Sequence, residues 1–454
     1  MFKKVSLQNF RSFDNIEFDL RSRGGSAKPL VIVYGENGAG KSALMSAFVL
    51  LQELQNTMNV RDFYERILAQ EDLLKDKEGE EKIRQRLARM RTIENIINDY
   101  KMIGCDDPIV AEYEFQIDGH MGRYLVELNQ TEIIHERLEF LLNKRKGAYF
   151  DCSDNSIFVN RGIATDDDLY ADIMASVKRF WGKHSILAIV LHELHDKAIA
   201  FGREKLSEHF LEVLDEFVLL SSYVELGSQR WSGLATPFSV FDDPISGEIP
   251  KKDEPQLNLI SDVFSRIFSA ISSTVDRVYY EREYGDQTIY YRLFIRKRIA
   301  GSYRNIPFSR ESTGNCQLLS TLSFIFLACM GAAVIIDEAD AGIHDLLFKT
   351  IIEEAYPIIR KGGGQLIMTT HNTLLMETDF ARDATYIIQE DETGRKTICC
   401  ITSYGKRTYA NNNVRSKYLN GDYRGIPAIK KKMDLFGLIN SLTNLNDVAY
   451  SNEE

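Results

Sequence analysis

A glycine-rich segment near the start of the chain constrains the fold more than any other feature. Residues 30–34, LVIVY, are apolar and rich in β-branched side chains, and residues 43–54 have the composition of a helix. Between them stands GENGAGKS, the pattern GxxxxGK[ST], made by Gly35, Glu36, Asn37, Gly38, Ala39, Gly40, Lys41 and Ser42. A strand before this pattern and a helix after it predict a P-loop in an α/β nucleotide-binding sheet.

The residue types of this loop match the chemistry of a bound phosphate. Glycines let the backbone curl so that its N–H groups face phosphate oxygens, and the helix N-terminus adds positive potential. Lys41 is expected to reach the β- and γ-phosphates, and Ser42 to ligate Mg²⁺. The sequence therefore predicts ATP and Mg²⁺ as the cofactors.

A second acidic site follows an apolar run at residues 333–336, which ends in Asp337 and Glu338. This is the form of a Walker B motif. Asp337 is expected to hold Mg²⁺ at the carboxyl end of its strand, and Glu338 to polarise the attacking water as general base. A helix cap is the alternative for such an acidic pair, and the P-loop upstream favours the Walker B interpretation.

The separation of the two motifs is informative. Residues 337–340 spell DEAD, but Lys41 and Asp337 lie 296 positions apart, which argues against a DEAD-box helicase. A large separation predicts an insertion within one nucleotide-binding domain. Three further elements occur in order, namely NFRSF at 9–13, ESTGNCQ at 311–317 and TTHN at 369–372.

With these motifs the chain resembles stand-alone ABC-type ATPases of the RecF/SMC-like and OLD-like kind. Within that group it is most similar to bacterial anti-phage and abortive-infection ATPases, including the ATPase subunit of PARIS-type defence systems. The resemblance covers residues 1–160 and about 275–430, and the stretch 413–427 also carries it. The middle of the chain, 161–275, does not.

The resemblance implies how the remaining motifs act. Two heads would pair, so that Ser312 and Gly314 of one head face the γ-phosphate bound by the other. His371 would contact the γ-phosphate region as a catalytic residue, and Arg11 would lie near the nucleotide. The ABC signature motif, SGGQ in the family, is replaced by STGNCQ at residues 312–317 of this chain. No glutamine of the Q-loop is assigned either, so slow ATP hydrolysis is expected.

The predicted fold class is α/β, an ABC-type P-loop ATPase head with an inserted helical domain. The head would combine a mixed sheet, with helices on both faces, and an antiparallel β-part that includes a hairpin at 110–129. Residues 1–160 form its first half, with a helical, basic segment at 50–103, and residues 276–454 form its second half. Residues 161–275 are predicted to be a helical insertion for dimerisation or partner docking.

Composition limits the location and the ligands. The formal charge of −11 and the pI near 5.4 make DNA possible but not favoured as a main ligand. The Arg-rich run 84–91 is interpreted as a solvated helix face, with contact to nucleic acid or to an acidic protein as the alternative. The uncharged run 318–336 is predicted to be a buried helix and strand, with no membrane span. The start has no apolar signal core, and the six cysteines form no CxxC pair, which predicts reduced thiols and a cytoplasmic protein.

Two other chemistries are argued against. The histidines of HELH at 192–195 are three positions apart, whereas a zinc protease needs four. The residues after His371 lack the clustered acids of a two-metal Toprim nuclease, so any nuclease or toxin activity would belong to a separate effector.

The leading hypothesis is a nucleotide-gated sensor in anti-phage defence. Such a homo-oligomer, built from paired heads, would hold an effector protein and release or activate it when a phage trigger protein binds. A RecF-like ATPase for DNA repair or DNA-end binding is the alternative, and a non-catalytic nucleotide-gated scaffold is a third reading.

Overall fold

The computed structural model describes residues 1–59, 91–196, 202–226, 229–236, 238–404 and 413–425. The Arg-rich run at 84–91 therefore lies outside the described residues except for Arg91. The same holds for the part of the predicted basic helix that falls at 60–90.

The strands are numbered in chain order. They are β1 (Phe2–Phe10), β2 (Phe13–Asp19), β3 (Leu30–Tyr34), β4 (Ile109–Ile117), β5 (His120–Leu128), β6 (Ile133–Leu142), β7 (Arg145–Ser153), β8 (Ser156–Val159), β9 (Ser221–Leu226), β10 (Gln229–Gly233), β11 (Ser246–Pro250), β12 (Val275–Tyr284), β13 (Thr288–Ile299), β14 (Ser302–Pro307), β15 (Ala333–Ile336), β16 (Gln365–Thr369), β17 (Thr385–Glu390) and β18 (Lys396–Cys400).

The helices are numbered in the same way. They are α1 (Lys41–Gln55), α2 (Ile93–Tyr100), α3 (Asp167–Phe180), α4 (Ile186–Asp196), α5 (Glu208–Val218), α6 (Glu254–Ile271), α7 (Thr313–Cys329), α8 (Asp345–Gly362), α9 (Ala381–Ala384) and α10 (Val414–Leu419).

The central sheet has the order β10-β9-β15-β16-β3-β17-β18. Its five inner strands run parallel, and the two edge strands are antiparallel to their neighbours. Every residue of β3 and β15 is buried, as expected for strands covered on both faces. Val31 and Val33 pack into one hydrophobic core and Ile32 into another, so the sheet separates two cores. The carboxyl ends of β3, β15 and β16 share one edge.

Two antiparallel sheets accompany the central one. The first has the order β2-β1-β4-β5-β6-β7-β8, and the second has the order β11-β13-β12 with β14 paired to β13. The predicted hairpin is present as β4 and β5, joined by Asp118 and Gly119 with φ values of 46° and 84°. The predicted mixed sheet and antiparallel β-part are therefore confirmed.

The segment 161–275 differs from the helical expectation. Helices α3 to α6 occupy much of it, but α5 ends at Val218, and β9 then pairs in parallel with β15, with Ser221 opposite Val334. The apolar spacing through 210–224 predicts one helical pattern. A short buried strand cannot be distinguished from a helix by periodicity alone, which explains the difference. This segment therefore contributes two strands, β9 and β10, to the central sheet, while the division at 160 and 275 stays a prediction.

The uncharged run at 318–336 forms the end of α7 followed by β15, as predicted. Among the described helices, none combines the length and the apolar character that a bilayer crossing requires. All six cysteines are free thiols.

Candidate nucleotide site

The P-loop joins β3 to α1, and two of its positions, 35 and 40, require glycine. Gly40 has φ 103°, in the left-handed region, and precedes the first residue of α1. A Cβ atom on Gly35 would lie 2.7 Å from the carbonyl oxygen of Ile388, because β17 runs directly beside β3. The first turn of α1 carries no acidic residue and no side-chain cap, which leaves its amide groups for a ligand.

The Lys41 side chain is 8% exposed and folds back on the loop. Its Nζ donates hydrogen bonds to the carbonyl oxygens of Gly35, at 2.9 Å, and Glu36, at 3.1 Å. Burial lowers the pKa of the Lys41 ammonium, and the nearby carboxylates of Asp337 and Glu338 act in the opposite direction. The lysine of the P-loop and the two acids after β15 thus share one electrostatic environment.

Thr369, the last residue of β16, connects the two acids. Its Oγ1 donates to Oδ1 of Asp337 at 2.5 Å and accepts the backbone N–H of Glu338 at 2.8 Å. The backbone N–H of Asp337 donates to the carbonyl of Tyr223 on β9 at 2.7 Å. Three neighbouring parallel strands therefore determine where the Asp337 carboxylate lies.

One oxygen of this carboxylate has no partner. Asp337 is 3% exposed, and its Oδ2 is buried without a hydrogen bond from any described residue. An unsatisfied buried carboxylate oxygen is costly, and a hard divalent cation is a ligand that satisfies it. The donor set that a magnesium ion needs, a carboxylate and the hydroxyl of Ser42 at the start of α1, therefore fits this edge of the sheet.

Glu338 has a backbone conformation that is uncommon outside glycine. Its φ is 48°, and it is held there by the hydrogen bond from its own N–H to Thr369 and by the Ala339 N–H, which donates to the Thr369 carbonyl at 3.0 Å. Strain of this kind occurs at functional sites when the surrounding structure enforces it. These two hydrogen bonds to Thr369 therefore hold the backbone of Glu338 in place, and with it the half-buried side chain.

His371 lies just after β16, beside the acidic loop. Its backbone N–H points at both carboxylate oxygens of Asp340, at 3.3 Å each, and its side chain is exposed. The next residue, Asn372, is buried, accepts a hydrogen bond from the Tyr34 hydroxyl at 3.0 Å through its carbonyl, and caps the following turn. The histidine is therefore anchored through its backbone, and its ring is free to meet solvent or a ligand.

Arg11 occupies the turn between β1 and β2, with φ 50°. Its guanidinium stacks over Tyr100 at 5.2 Å from the ring centroid, and its buried Nε has no hydrogen-bond partner among the described residues. The same turn contacts the P-loop through Phe13, because a Cβ on Gly40 would lie 2.9 Å from that ring. A nucleotide contact by Arg11 stays a prediction.

Ser312 and Gly314 lie at the start of α7, where Ser312 is exposed. Ser312 caps this helix by accepting the Asn315 N–H at 3.3 Å. Gly314 packs on the loop after β15, since a Cβ there would be 2.5 Å from the carbonyl oxygen of Gly342. In the part of the chain that the structure describes, no hydrogen bond joins Ser312 or Gly314 to the P-loop. Their role across two heads stays a prediction.

The carboxyl edge of the sheet also contains residues that the sequence did not single out. Thr369 belongs to the TTHN element, but its bridge between Asp337 and Glu338 emerges only from strand order.

The C-terminal segment 413–425 packs against the same region. The ring of Tyr418 on α10 lies 5.7 Å from that of Tyr34, and its hydroxyl donates to the Gly425 carbonyl at 3.0 Å. Burial, with a smaller contribution from Glu36, raises the pKa of Tyr418 to about 12. The segment 413–425 is thus a neighbour of the P-loop.

Comparison with known families agrees with this geometry. Residues 204–377 match the family described as "AAA domain, putative AbiEii toxin, Type IV TA system", and residues 4–51 match one described as "AAA domain". The first segment contains Asp337 and His371, and the second contains the P-loop. Over these segments the chain is similar to AAA-type ATPase domains. No curated protein matches the chain.

Solved structures with partial similarity are heads of SMC proteins. An SMC head bound to the C-winged helix domain of ScpA is 15% identical, with a TM-score of 0.44, and the alignment covers 88% of this chain and 96% of that one. The SMC head domain from Thermotoga maritima is 15% identical with a TM-score of 0.36, covering 88% and 98%. A Pyrococcus furiosus SMC head with an extended coiled coil, bound to the C-terminal domain of ScpA, is 15% identical with a TM-score of 0.39, covering 88% and 95%.

Proposed function

We propose that this protein binds and hydrolyses Mg²⁺–ATP at the carboxyl edge of its central sheet and uses the nucleotide to control a separate effector. The observation that carries the proposal is the buried, unpartnered Oδ2 of Asp337, in the electrostatic environment of the P-loop lysine. A cation and a phosphate are the ligands that such an arrangement accommodates.

The residues divide the work by their chemistry. The P-loop amides hold the phosphates, and Lys41 exchanges its two carbonyl partners for phosphate oxygens. Ser42 and Asp337 hold the magnesium ion, which neutralises phosphate charge when bound. Glu338 orients the attacking water and accepts its proton on a carboxylate oxygen.

Head pairing completes the site in this proposal. Ser312 and Gly314, at the exposed start of α7, reach the nucleotide of a second copy, and His371 and Arg11 act within their own head. A helix N-terminus is suited to an anion, and Ser312, whose hydroxyl accepts the Asn315 N–H, stands exposed at the start of this one. The protein then works as a homo-oligomer whose engagement depends on ATP.

The link to defence is supported by the family match over 204–377, whose description names a putative AbiEii toxin and a type IV toxin–antitoxin system. We infer a nucleotide-gated regulator of anti-phage defence that holds a toxin or nuclease and lets it act when a phage component binds. In this proposal the toxin or nuclease activity belongs to a separate effector protein.

Glu338→Gln tests the catalytic part. The amide keeps the size of the side chain but cannot take a proton, so phosphate release should fall on the order of 10²- to 10³-fold while ATP still binds. Phosphate release and ATP affinity are measured on the full chain. Glu392→Gln, on the exposed turn between β17 and β18, is the matched control and should keep the wild-type rate.

The same variant tests regulation. Paired heads that cannot hydrolyse ATP should accumulate as dimers on a sizing column with ATP, and the amount of co-purified effector should change with them. Equal rates for Glu338→Gln and wild type would remove Glu338 as the base. An effector that co-purifies identically with and without ATP would remove the gating.

A further inference from the structure

The four-stranded sheet of β11 to β14 has one covered face and one open face. Helix α6 covers the inner face, where Ser265 Oγ donates to the Val278 carbonyl at 2.6 Å. On β13, residues 289, 291, 293 and 295 are buried, so residues 290, 292, 294 and 296 point outward. Of these outward residues, Tyr290 and Arg292 are exposed, and Phe294 and Arg296 are partly exposed.

Arginine and aromatic side chains alternate at one end of the outer face. We define this arginine–aromatic face by Arg277, Tyr279, Phe294, Arg296 and Tyr303. The rings of Tyr279 and Phe294 stack across β12 and β13 with centroids 5.9 Å apart and an interplanar angle of 25°. The Arg277 guanidinium lies 4.8 Å from the Tyr279 ring, and that of Arg296 lies 5.0 Å from Tyr303.

The register places like charges directly opposite each other. Arg277 pairs with Arg296 across the two strands. Such pairs destabilise a sheet unless an anion lies between them. Arg296 forms an ion pair with Asp276 at 3.5 Å, whereas Arg277 forms no ion pair with any described residue. Positive charge is therefore concentrated here, on a chain whose net charge is −11.

The exposed rings indicate what kind of anion fits. Tyr303 is 53% exposed, and Phe294 and Tyr279 are half-buried. Partly exposed aromatic rings offer stacking surfaces, and the arginines over them offer phosphate contacts. An acidic peptide uses the arginines but has no planar group for the rings.

We propose that the arginine–aromatic face binds single-stranded nucleic acid. Its bases stack on Tyr279, Phe294 and Tyr303, and its phosphates contact Arg277 and Arg296. Stacking of bases on aromatic side chains, combined with a positively charged track for the backbone, is the general physics of sequence-tolerant single-strand binding. A duplex fits less well, because its bases are already stacked on each other.

The test uses the full chain and a fluorescent oligothymidylate of about 20 nucleotides, which is longer than a typical single-strand binding site. Anisotropy titrations at about 50 and 200 mM salt give the affinity and its salt dependence. Arg277→Ala/Arg296→Ala should weaken binding at least about tenfold and reduce the salt slope by about 1.4, which is about 0.7 for each lost phosphate contact. Phe294→Leu, which keeps apolar bulk, should weaken binding about fivefold or more with an unchanged slope.

Arg179→Ala is the matched control. Its guanidinium also lies over an aromatic ring, at 4.9 Å from that of Phe180, but on α3, outside the proposed face. It should bind like the wild type. If the double alanine variant does not fold, Arg277→Lys/Arg296→Lys keeps both charges and should lose affinity with the slope retained.

Three results would overturn the proposal. The first is that the wild type fails to bind the oligonucleotide. The second is that the variants of the arginine–aromatic face bind as tightly as Arg179→Ala. The third is that polyglutamate displaces the oligonucleotide at equal charge concentration. The last result would assign the face to an acidic protein segment instead. Weaker binding confined to the face variants, together with poor competition by polyglutamate, supports a nucleic-acid site.

Discussion

Two buried carboxylates, one in each seven-stranded sheet, show opposite ways of burying an acid. Glu136 on β6 is fully buried, and its oxygens accept hydrogen bonds from the Tyr124 hydroxyl at 2.9 Å, the Trp181 indole at 3.2 Å and the Ile186 N–H at 2.9 Å. Asp337 after β15 is almost as buried, but one of its oxygens has no donor. The complete set of donors marks a structural acid, and the incomplete set marks a ligand site.

The two acids also differ in what surrounds their charge. Burial raises the pKa of Glu136 to about 7, although the hydrogen bonds it accepts favour the ionised form. Asp337 instead shares its region with the Lys41 ammonium. The comparison teaches that burial alone does not identify a functional acid; the unsatisfied oxygen and the nearby cation do.

The largest expected effect is a loss of folding stability when Glu136 is replaced. Glu136→Ala leaves the donors on Tyr124, Trp181 and Ile186 buried without an acceptor, at about 1–3 kcal/mol each, so the free energy of unfolding should fall by at least about 3 kcal/mol. Denaturant titration measures it. Glu132→Ala, on an exposed turn, should change it by less than about 0.5 kcal/mol. Comparable stability of the two variants would contradict the structural role of Glu136.

Asp337→Asn should have the opposite effect, a loss of activity without a loss of stability. Removing the carboxylate charge weakens magnesium binding, so Mg²⁺-dependent phosphate release should fall about 100-fold or more, whereas stability should be unchanged or higher because a buried charge is gone. Asp345→Asn, an exposed acid in the first turn of α8, should retain activity. A large loss of stability without loss of turnover would erase the distinction between the two acids.

The smallest effect concerns pH. The pKa of Glu136 is raised from 4.5 to about 7 on folding, so its contribution to stability is complete below about pH 4.5 and is lost as the pH rises through 7. Glu136→Gln should flatten the decline of the unfolding free energy over this range by up to about 1.4 kcal/mol per pH unit. Parallel curves for wild type and variant would show that Glu136 is ionised throughout.

Motifs that act through local backbone could be predicted from the sequence. The order strand, glycine loop and helix at 30–54 is present, as is the sequence of α7 and β15 in the uncharged run 318–336. These elements depend on glycine conformations, apolar runs and helix starts, which involve neighbours along the chain. The hairpin around Asp118 and Gly119 belongs to the same class.

Features that depend on strand order could not be predicted. The run 221–226 has the apolar pattern of a helix continuation and becomes a strand because β15 offers a parallel edge beside it. Thr369 became part of the candidate site only once β16 was known to lie next to β15. Likewise, no sequence spacing indicates that Arg277 faces Arg296.

The sequence by itself determined a P-loop, an acid pair after a buried strand and a mixed α/β fold, because short-range periodicity and glycine placement specify such elements. Tertiary structure alone decided which acid keeps an unpartnered oxygen and where arginines and rings meet on one face. Hydrogen-bond satisfaction and cross-strand register join residues far apart in the chain, and these long-range relations leave no periodic trace in the sequence.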